Sequence, residues 1–330
     1  MAKEAIYGVI SDVHNDPRIV PLAIGVLKKL GAQRLLVNGD IGNHQKTLQD
    51  SQNYVAFILD AVGRSGLESF VQPGSHEPLL AYIPVVEHFS ERYSNIVNVL
   101  KKQKAEVNGH DLVFLPGSDF TCGGEFQIGN DSQIPSGRYI QTQDGLVEFE
   151  DLGQYVGALQ RRIAQGAFQY INIRDLRKLV SNPEKTVLIC HVPRKFHNLE
   201  TCVDVAEFGE ASADFMFGRD EVKMGSVFPI QVAPKIAQEG YPVVLRKENR
   251  GNEDLKNICN EIGIKKAISG HFHESSHRAN DSNSLHVDEG KLVEELYWNA
   301  GCLDMGCAGL LSVSGERVKY QNVRLQDYIK

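Results

Sequence analysis

Short apolar runs rich in β-branched residues alternate with longer stretches of helical period through the first part of the chain. Positions 6–10, 34–37 and 68–71 read as strands, with 17–30 and 46–64 as the helices between them, a βαβαβ opening. Another helix is expected at 84–93 and short strands at 96–99, 105–107 and 112–115. The last two runs flank Asn108-Gly109-His110-Asp111, whose Asn-Gly centre predicts a tight hairpin turn. From 117 to 145 the sequence is rich in Gly, Ser, Asp and Gln with little periodicity, which predicts a long loop near the site. Between 152 and 179, Tyr155, Leu159, Ile163, Phe168, Ile171, Leu176 and Leu179 recur at helical spacing and predict two helices. Arg161, Arg162, Arg174, Arg177 and Lys178 then form a solvated face. Strand-like runs return at 187–190 and 267–268, and the long segment between them, including 218–226 and 243–249, exceeds what a connection needs.

Five of these apolar runs are followed at once by residues with metal-binding chemistry. Asp12-Val13-His14 follows the first strand, Gly39-Asp40 the second, and Gly74-Ser75-His76-Glu77 the third; His191 and Gly270-His271-Phe272-His273 follow the two later runs. Side chains delivered by the carboxyl ends of parallel strands converge in one crevice of an α/β sheet. Imidazole nitrogen and carboxylate oxygen suit divalent first-row metals, and two ions held close together need a carboxylate that bridges them. Asp40 stands alone between the other groups and is the natural bridge. Asp12 and His14, two apart on an extended segment, point to one face and can chelate a single ion. His271 and His273 share that spacing and can serve one ion each if the turn after Gly270 brings the backbone close.

Each fragment has a plainer reading when taken singly. Asp-x-His can be a turn whose aspartate caps the following helix, Gly39-Asp40 a strand-to-loop junction, and His-x-His a solvated pair. Their joint occurrence in this order and strand context favours the metal centre.

Together the five fragments resemble the calcineurin-like metallophosphoesterase family, over most of the chain from Asp12 to His273. The resemblance implies an α/β fold: a two-sheet metallophosphoesterase sandwich flanked by helices, with 295–300, 309–313 and 318–323 closing the second sheet. The core would span about 1–116 and 184–330, with insertions at about 117–183 and 195–258 shaping the pocket. It places Asp12, His14, Asp40 and His273 on a first metal and Asp40, His191 and His271 on a second. Position 75 would be the remaining ligand of the second metal. Here Ser75 replaces the asparagine of the family's Gly-Asn-His motif, and a short neutral hydroxyl is a poor donor to a hard cation, so a weak second site is expected. The implied chemistry is attack on phosphorus by a metal-bridging hydroxide, with His76 as leaving-group acid and Asp40 essential to catalysis. Glu77 is expected to orient the loop rather than touch substrate. Nitrogen and oxygen donors without thiolate fit manganese, iron, zinc, cobalt or nickel, with manganese favoured.

His44 and Arg194 are further candidates for contact with substrate, Arg194 as a clamp on a phosphate oxygen; for each, a plain surface role is an equal alternative. His88, His197, His277 and His286 sit in polar surroundings and read as surface residues.

Composition narrows the partners. The chain has 330 residues, 42% of them hydrophobic, and a formal net charge of -7 without a Lys/Arg tract, which gives no strong signal for nucleic acid. Its six cysteines show no C-x-x-C pair, and reduced thiols are expected, including Cys302 and Cys307. No leader is expected before the first strand, and no apolar run approaches membrane-spanning length, so a cytoplasmic location is the expectation. The leading function is hydrolysis of a small phosphate mono- or diester. A phosphoprotein phosphatase or nuclease is the alternative, weakened because Ile41-Gly42-Asn43-His44 stands where such phosphatases carry Asp-Arg-Gly after Gly-Asp. A non-catalytic metal-binding scaffold is the third reading, favoured only by Ser75. Oligomeric state leaves no trace in the sequence.

Overall fold

The computed structural model describes residues 4–119 and 124–328; Cys122 lies outside them. Two six-stranded sheets pack face to face. In the first, Ala5–Ile10, Arg34–Asn38, Glu68–Gln72 and Ile96–Asn98 run parallel, and Cys307–Ser314 and Arg317–Arg324 extend the sheet antiparallel beyond Ala5–Ile10. In the second, His110–Leu115, Thr186–Cys190, Lys266–Ser269 and Leu296–Asn299 run parallel between the edge strands Lys104–Val107 and Ala279–Asn280.

Strand alternation explains the layers. Tyr7, Val9, Leu36 and Phe70 point between the sheets and meet Phe114, Ile189, Ile268 and Trp298. Phe70 stacks on Phe114 with centroids 5.3 Å apart, worth about 1 kcal/mol beyond area burial. Ile10, Leu35, Val37 and Val71 point the other way, against the helices Ile19–Lys29, Leu48–Arg64 and Leu79–Arg92. Strands buried on both faces read as continuous apolar runs, which is why the sequence marks them. Helix Glu253–Ile262, capped by Asn252 and ended by Gly263 at φ 79°, covers the outer face of the second sheet.

Several expectations are corrected. The helix expected at 84–93 begins earlier, at Leu79, with Pro84 inside it. Pro84 has no N–H for the Leu80 carbonyl, and the Gln52 side chain donates to that oxygen instead at 3.0 Å. The region expected to be a long loop carries strands of a five-stranded sheet, ordered Gly145–Glu148, Gly137–Thr142, Gly166–Asn172, Phe126–Gly129, Ser118–Asp119. Of the two helices expected over 152–179, Leu152–Gln160 forms, and a short turn forms at Leu176–Leu179. The intervening Phe168 and Ile171 lie in the strand Gly166–Asn172, where pairing on both sides overrides helical spacing. The terminal strands divide: Leu296–Asn299 joins the second sheet, but Cys307–Ser314 pairs with Ala5–Ile10 in the first.

Asn108 and Gly109, at φ 51° and 84°, make the expected hairpin turn between Val107 and His110. The segment after His191 contains a three-stranded sheet, Val205–Ala211 flanked by Val227–Pro229 and Val243–Asn249. Among the described residues no helix is long and apolar enough to cross a membrane.

Candidate metal centre

All five fragments lie just past the carboxyl ends of parallel strands, three from the first sheet and two from the second, and they converge at one edge of the sandwich. Asp12 and Asp40 are not extended: their φ angles are 59° and 52°, and that of His271 is 70°. Such left-handed conformations in non-glycine residues are costly and concentrate where function demands them. Backbone bonds hold the turns, with the Asp12 N–H donating to Gly39 O at 3.1 Å and the Val13 N–H to Asp40 O at 2.7 Å. Gly39 is required on two grounds: its φ is 82°, and a Cβ there would lie 2.5 Å from Nδ1 of His191.

Three groups of ligand-type atoms form, each with members within 4.8 Å of one another: Asp12, His14 and His273; Asp40, His191 and His271; and His14, Asp40 and His76. Nε2 of His273 lies 3.2 Å from both Oδ1 of Asp12 and Nε2 of His14. Nε2 of His191 lies 3.1 Å from Oδ2 of Asp40, and Nε2 of His14 lies 3.8 Å from the same oxygen. Asp40 thus belongs to two of the groups, and its Oδ2 lies near both His14 of the first and His191 of the second.

The residues fit a cation. Nδ1–H of His191 donates to the Asn38 carbonyl at 2.9 Å, so in the neutral ring Nε2 carries the lone pair; it is fully buried and without a hydrogen bond. A lone pair aimed at a carboxylate calls for positive charge between them. Burial would lower the His191 pKa, but the Asp40 and Asp12 carboxylates push it up to about 10, so without a metal a proton supplies the positive charge that a cation would supply when bound. Burial likewise opposes the charge on His273, whose hydrogen bond to Asp12 lifts it to about 11. Burial and the neighbouring His191 push His271 down to about 4, leaving its ring neutral and available as a donor of electrons. The Asp40 carboxyl, although buried, is held well below the usual range by the surrounding imidazoles.

Ser75 does not offer its hydroxyl outward. Oγ donates to Oδ2 of Asp40 at 2.9 Å, and the N–H groups of Ser75 and His76 donate to Oδ1 at 2.5 and 3.0 Å. His76 is exposed, with its ring 4.7 Å from that of His14 in an edge-on arrangement. Glu77 is buried and accepts from the N–H groups of Ile41 at 2.6 Å and Gly74 at 2.8 Å, so it ties together the loops that carry Asp40 and Ser75. Its burial, reinforced by the Asp40 charge, raises its pKa to about 8.

The remaining candidates lie apart. His44 is exposed on the loop after Asp40, within electrostatic reach of Glu125. The phosphate-clamp expectation for Arg194 is corrected. Its guanidinium is buried, donates to Asn260 at 2.9 Å and to the Tyr297 hydroxyl at 3.1 Å, and lies 4.7 Å from the rings of both Phe196 and Tyr297. His277 is half-buried rather than a surface residue, bonded through Nε2 to the Ala308 carbonyl at 3.0 Å.

Residues at and after the end of the strand Leu296–Asn299 also build the site and carry no metal-ligand signature in the sequence. Asn299 donates to the carbonyls of Gly270 and Phe272, Cys302 Sγ to that of Asp12, and Asp304 accepts from the His14 backbone. The signal that could have found them is position: they too follow an apolar strand at the same edge. Cys302 and Cys307 are free thiols.

No family model and no curated protein matches the sequence. Among solved structures, the chain is similar to the protein TT1561 of Thermus thermophilus, at a TM-score of 0.50 and 9% identity over 98% of this chain and 100% of that one. It is also similar to a dimetal phosphatase from Danio rerio, at a TM-score of 0.47 and 9% identity over 97% of this chain and 99% of that one. At such identity the likeness is one of fold. The chain shares the fold of TT1561, built here on two packed sheets, and at its strand ends it carries His/Asp groups suited to divalent metals.

Proposed function

We propose that this chain is a metal-dependent phosphoesterase acting on a small phosphate mono- or diester in the cytoplasm. The observation that carries the reading is the convergence of Asp12, His14 and His273 on one side of Asp40 and of His191 and His271 on the other, with a buried, unbonded His191 Nε2 between the carboxylates. Asp12, His14, Asp40 and His273 would hold one divalent ion; Asp40, His191 and His271 would hold a second, manganese being favoured at both. When bound, such ions supply an activated water and neutralise charge on the phosphoryl oxygens.

The chain's own residues do the rest. Asp40 is fixed by three donors from Ser75 and His76, so it cannot swing away as substrate enters. His76 acts as the leaving-group acid: its exposed ring stands beside His14, and its backbone is anchored to Asp40. His44, exposed on the neighbouring loop, contacts substrate. Ser75 directs its O–H into Asp40, which supports a weaker second site.

The test is turnover of phosphate mono- and diesters by metal-reconstituted protein, run beside Asp40→Asn and His76→Ala, with metal content measured on all three. Asp40→Asn should lose metal and turnover together, whereas His76→Ala should keep metal and lose turnover. A metal-loaded protein inert towards both ester classes would instead support a binding scaffold.

A further inference from the structure

A cavity of about 300 Å³ adjoins the metal centre, and His273 belongs to both. Nε2 of His273 faces Asp12 and His14, while the partly exposed ring also lines the cavity. Glu274, His277, Met305, Cys307 and Arg324 supply other parts of the wall.

Arg324 is the last residue of the strand Arg317–Arg324 and is exposed. Among the described residues its guanidinium has no ion pair and donates no hydrogen bond, unlike Arg194, Arg177 or Arg246. Its charge reaches His277 and Cys307 within the cavity. Glu274, the cavity's carboxylate, has its charged neighbours elsewhere, in His273, Glu207 and Arg278. The cavity therefore holds one uncommitted cation, next to a ligand of the metal centre. A guanidinium presents a planar fork that matches carboxylate or phosphate oxygens in pairs. The volume is at the small end of small-molecule sites, enough for a compact group and too little for a polymer segment.

We propose that this cavity receives the non-transferred part of the substrate, and that the substrates are small phosphate esters carrying a second anionic group, which Arg324 binds. The assignment rests on the phosphoesterase reading above. The ester phosphate lies among the histidines and aspartates, and the second oxyanion lies past His273 against the guanidinium. Met305, 64% exposed at the rim, covers the apolar stretch between the two anions.

The experiment compares phenyl phosphate, 4-carboxyphenyl phosphate and 1,4-phenylene bisphosphate on the metal-loaded protein. KM is read because the leaving groups differ in acidity. At least one doubly anionic ester should show a KM about tenfold below that of phenyl phosphate, as a charge-assisted pair allows; which of the two does so identifies carboxylate or phosphate as the second group. Arg324→Gln should erase that advantage and Arg324→Lys restore part of it. Equal KM values in the wild type, or an advantage that survives in Arg324→Gln, would overturn the assignment. No turnover of any of the three monoesters would overturn this subsite; the phosphoesterase reading itself falls only if diesters are inert as well.

Discussion

Asp304 holds the backbone of His14 from 290 residues away: its Oδ2 accepts from the His14 N–H at 2.8 Å, while its own N–H donates to Asp12 O at 3.3 Å. The Asn15 backbone and side chain both add donors at 2.9 Å to the same oxygen. One carboxylate thereby fixes the turn that presents two candidate metal ligands. Asp304→Ala should weaken metal binding at the Asp12–His14–His273 group about 10- to 100-fold, the usual effect of removing a group that orients a ligand. Asp304→Asn, which keeps an acceptor oxygen, should lose less. Metal titration of the two variants checks this, and wild-type affinity in Asp304→Ala would contradict it.

Ser75 bears on the other half of the centre. A longer amide at this position can carry a carbonyl oxygen past Asp40, where the serine hydroxyl is engaged. Ser75→Asn is therefore expected to tighten the second metal and bring the stoichiometry closer to two per chain. Metal content after dialysis against a weak chelator reads this directly. Identical stoichiometry and affinity in both proteins would show that position 75 does not limit the second site.

The legible part of this molecule and the illegible part differ in how they are buried. Tyr7, Leu36, Phe70, Val187 and Ile268 sit in strands covered on both faces, so their runs stand out without any knowledge of partners. Gly145–Glu148 is exposed along its whole length, and Gly166–Asn172 owes its strand form to neighbours on both sides, so local pattern says little about either. The site divides in the same way. Asp12, Asp40, His191 and His273 announce themselves by side-chain chemistry at strand ends. Asp304 and Asn299 act by hydrogen bonds to the backbone of distant loops, a role that depends on the closed fold and leaves no mark in spacing. Arg194 shows the converse hazard: three residues past His191 it has suitable chemistry, but its side chain points into the aromatic pair Phe196 and Tyr297.

Arg194 should accordingly behave as a structural residue. Its two side-chain hydrogen bonds and two ring contacts join the segment after His191 to Asn260 and Tyr297. Arg194→Met keeps the volume but removes the donors, and should cost about 2 kcal/mol in unfolding free energy. KM for a phosphate ester should be unchanged in the folded fraction. A large rise in KM with unaltered denaturant midpoint would restore the phosphate-clamp role.

His110 gives a pH dependence remote from the metal ligands. It is buried beside Tyr7, whose hydroxyl lies 2.8 Å from Nε2, and burial, aided by the Arg34 charge, pushes its pKa down from 6.5 to about 4. Burial holds the Tyr7 proton in place, so Tyr7 donates and neutral His110 accepts. A protonated ring would lose that bond. The folded state thus binds fewer protons than the unfolded chain between the two pKa values, and stability rises with pH across that window. The contribution is complete above about pH 6.5, is lost as pH falls towards about 4, and is flat below. Allowing for solvent near the ring, its size is on the order of 2 kcal/mol. Denaturant unfolding at intervals across this range should therefore show a steeper fall for the wild type than for His110→Gln, which has no proton to gain. The difference in slope, rather than in absolute stability, is the diagnostic, because the substitution also alters the Tyr7 bond at every pH; parallel curves would mean that the ring is charged in the folded protein or open to water.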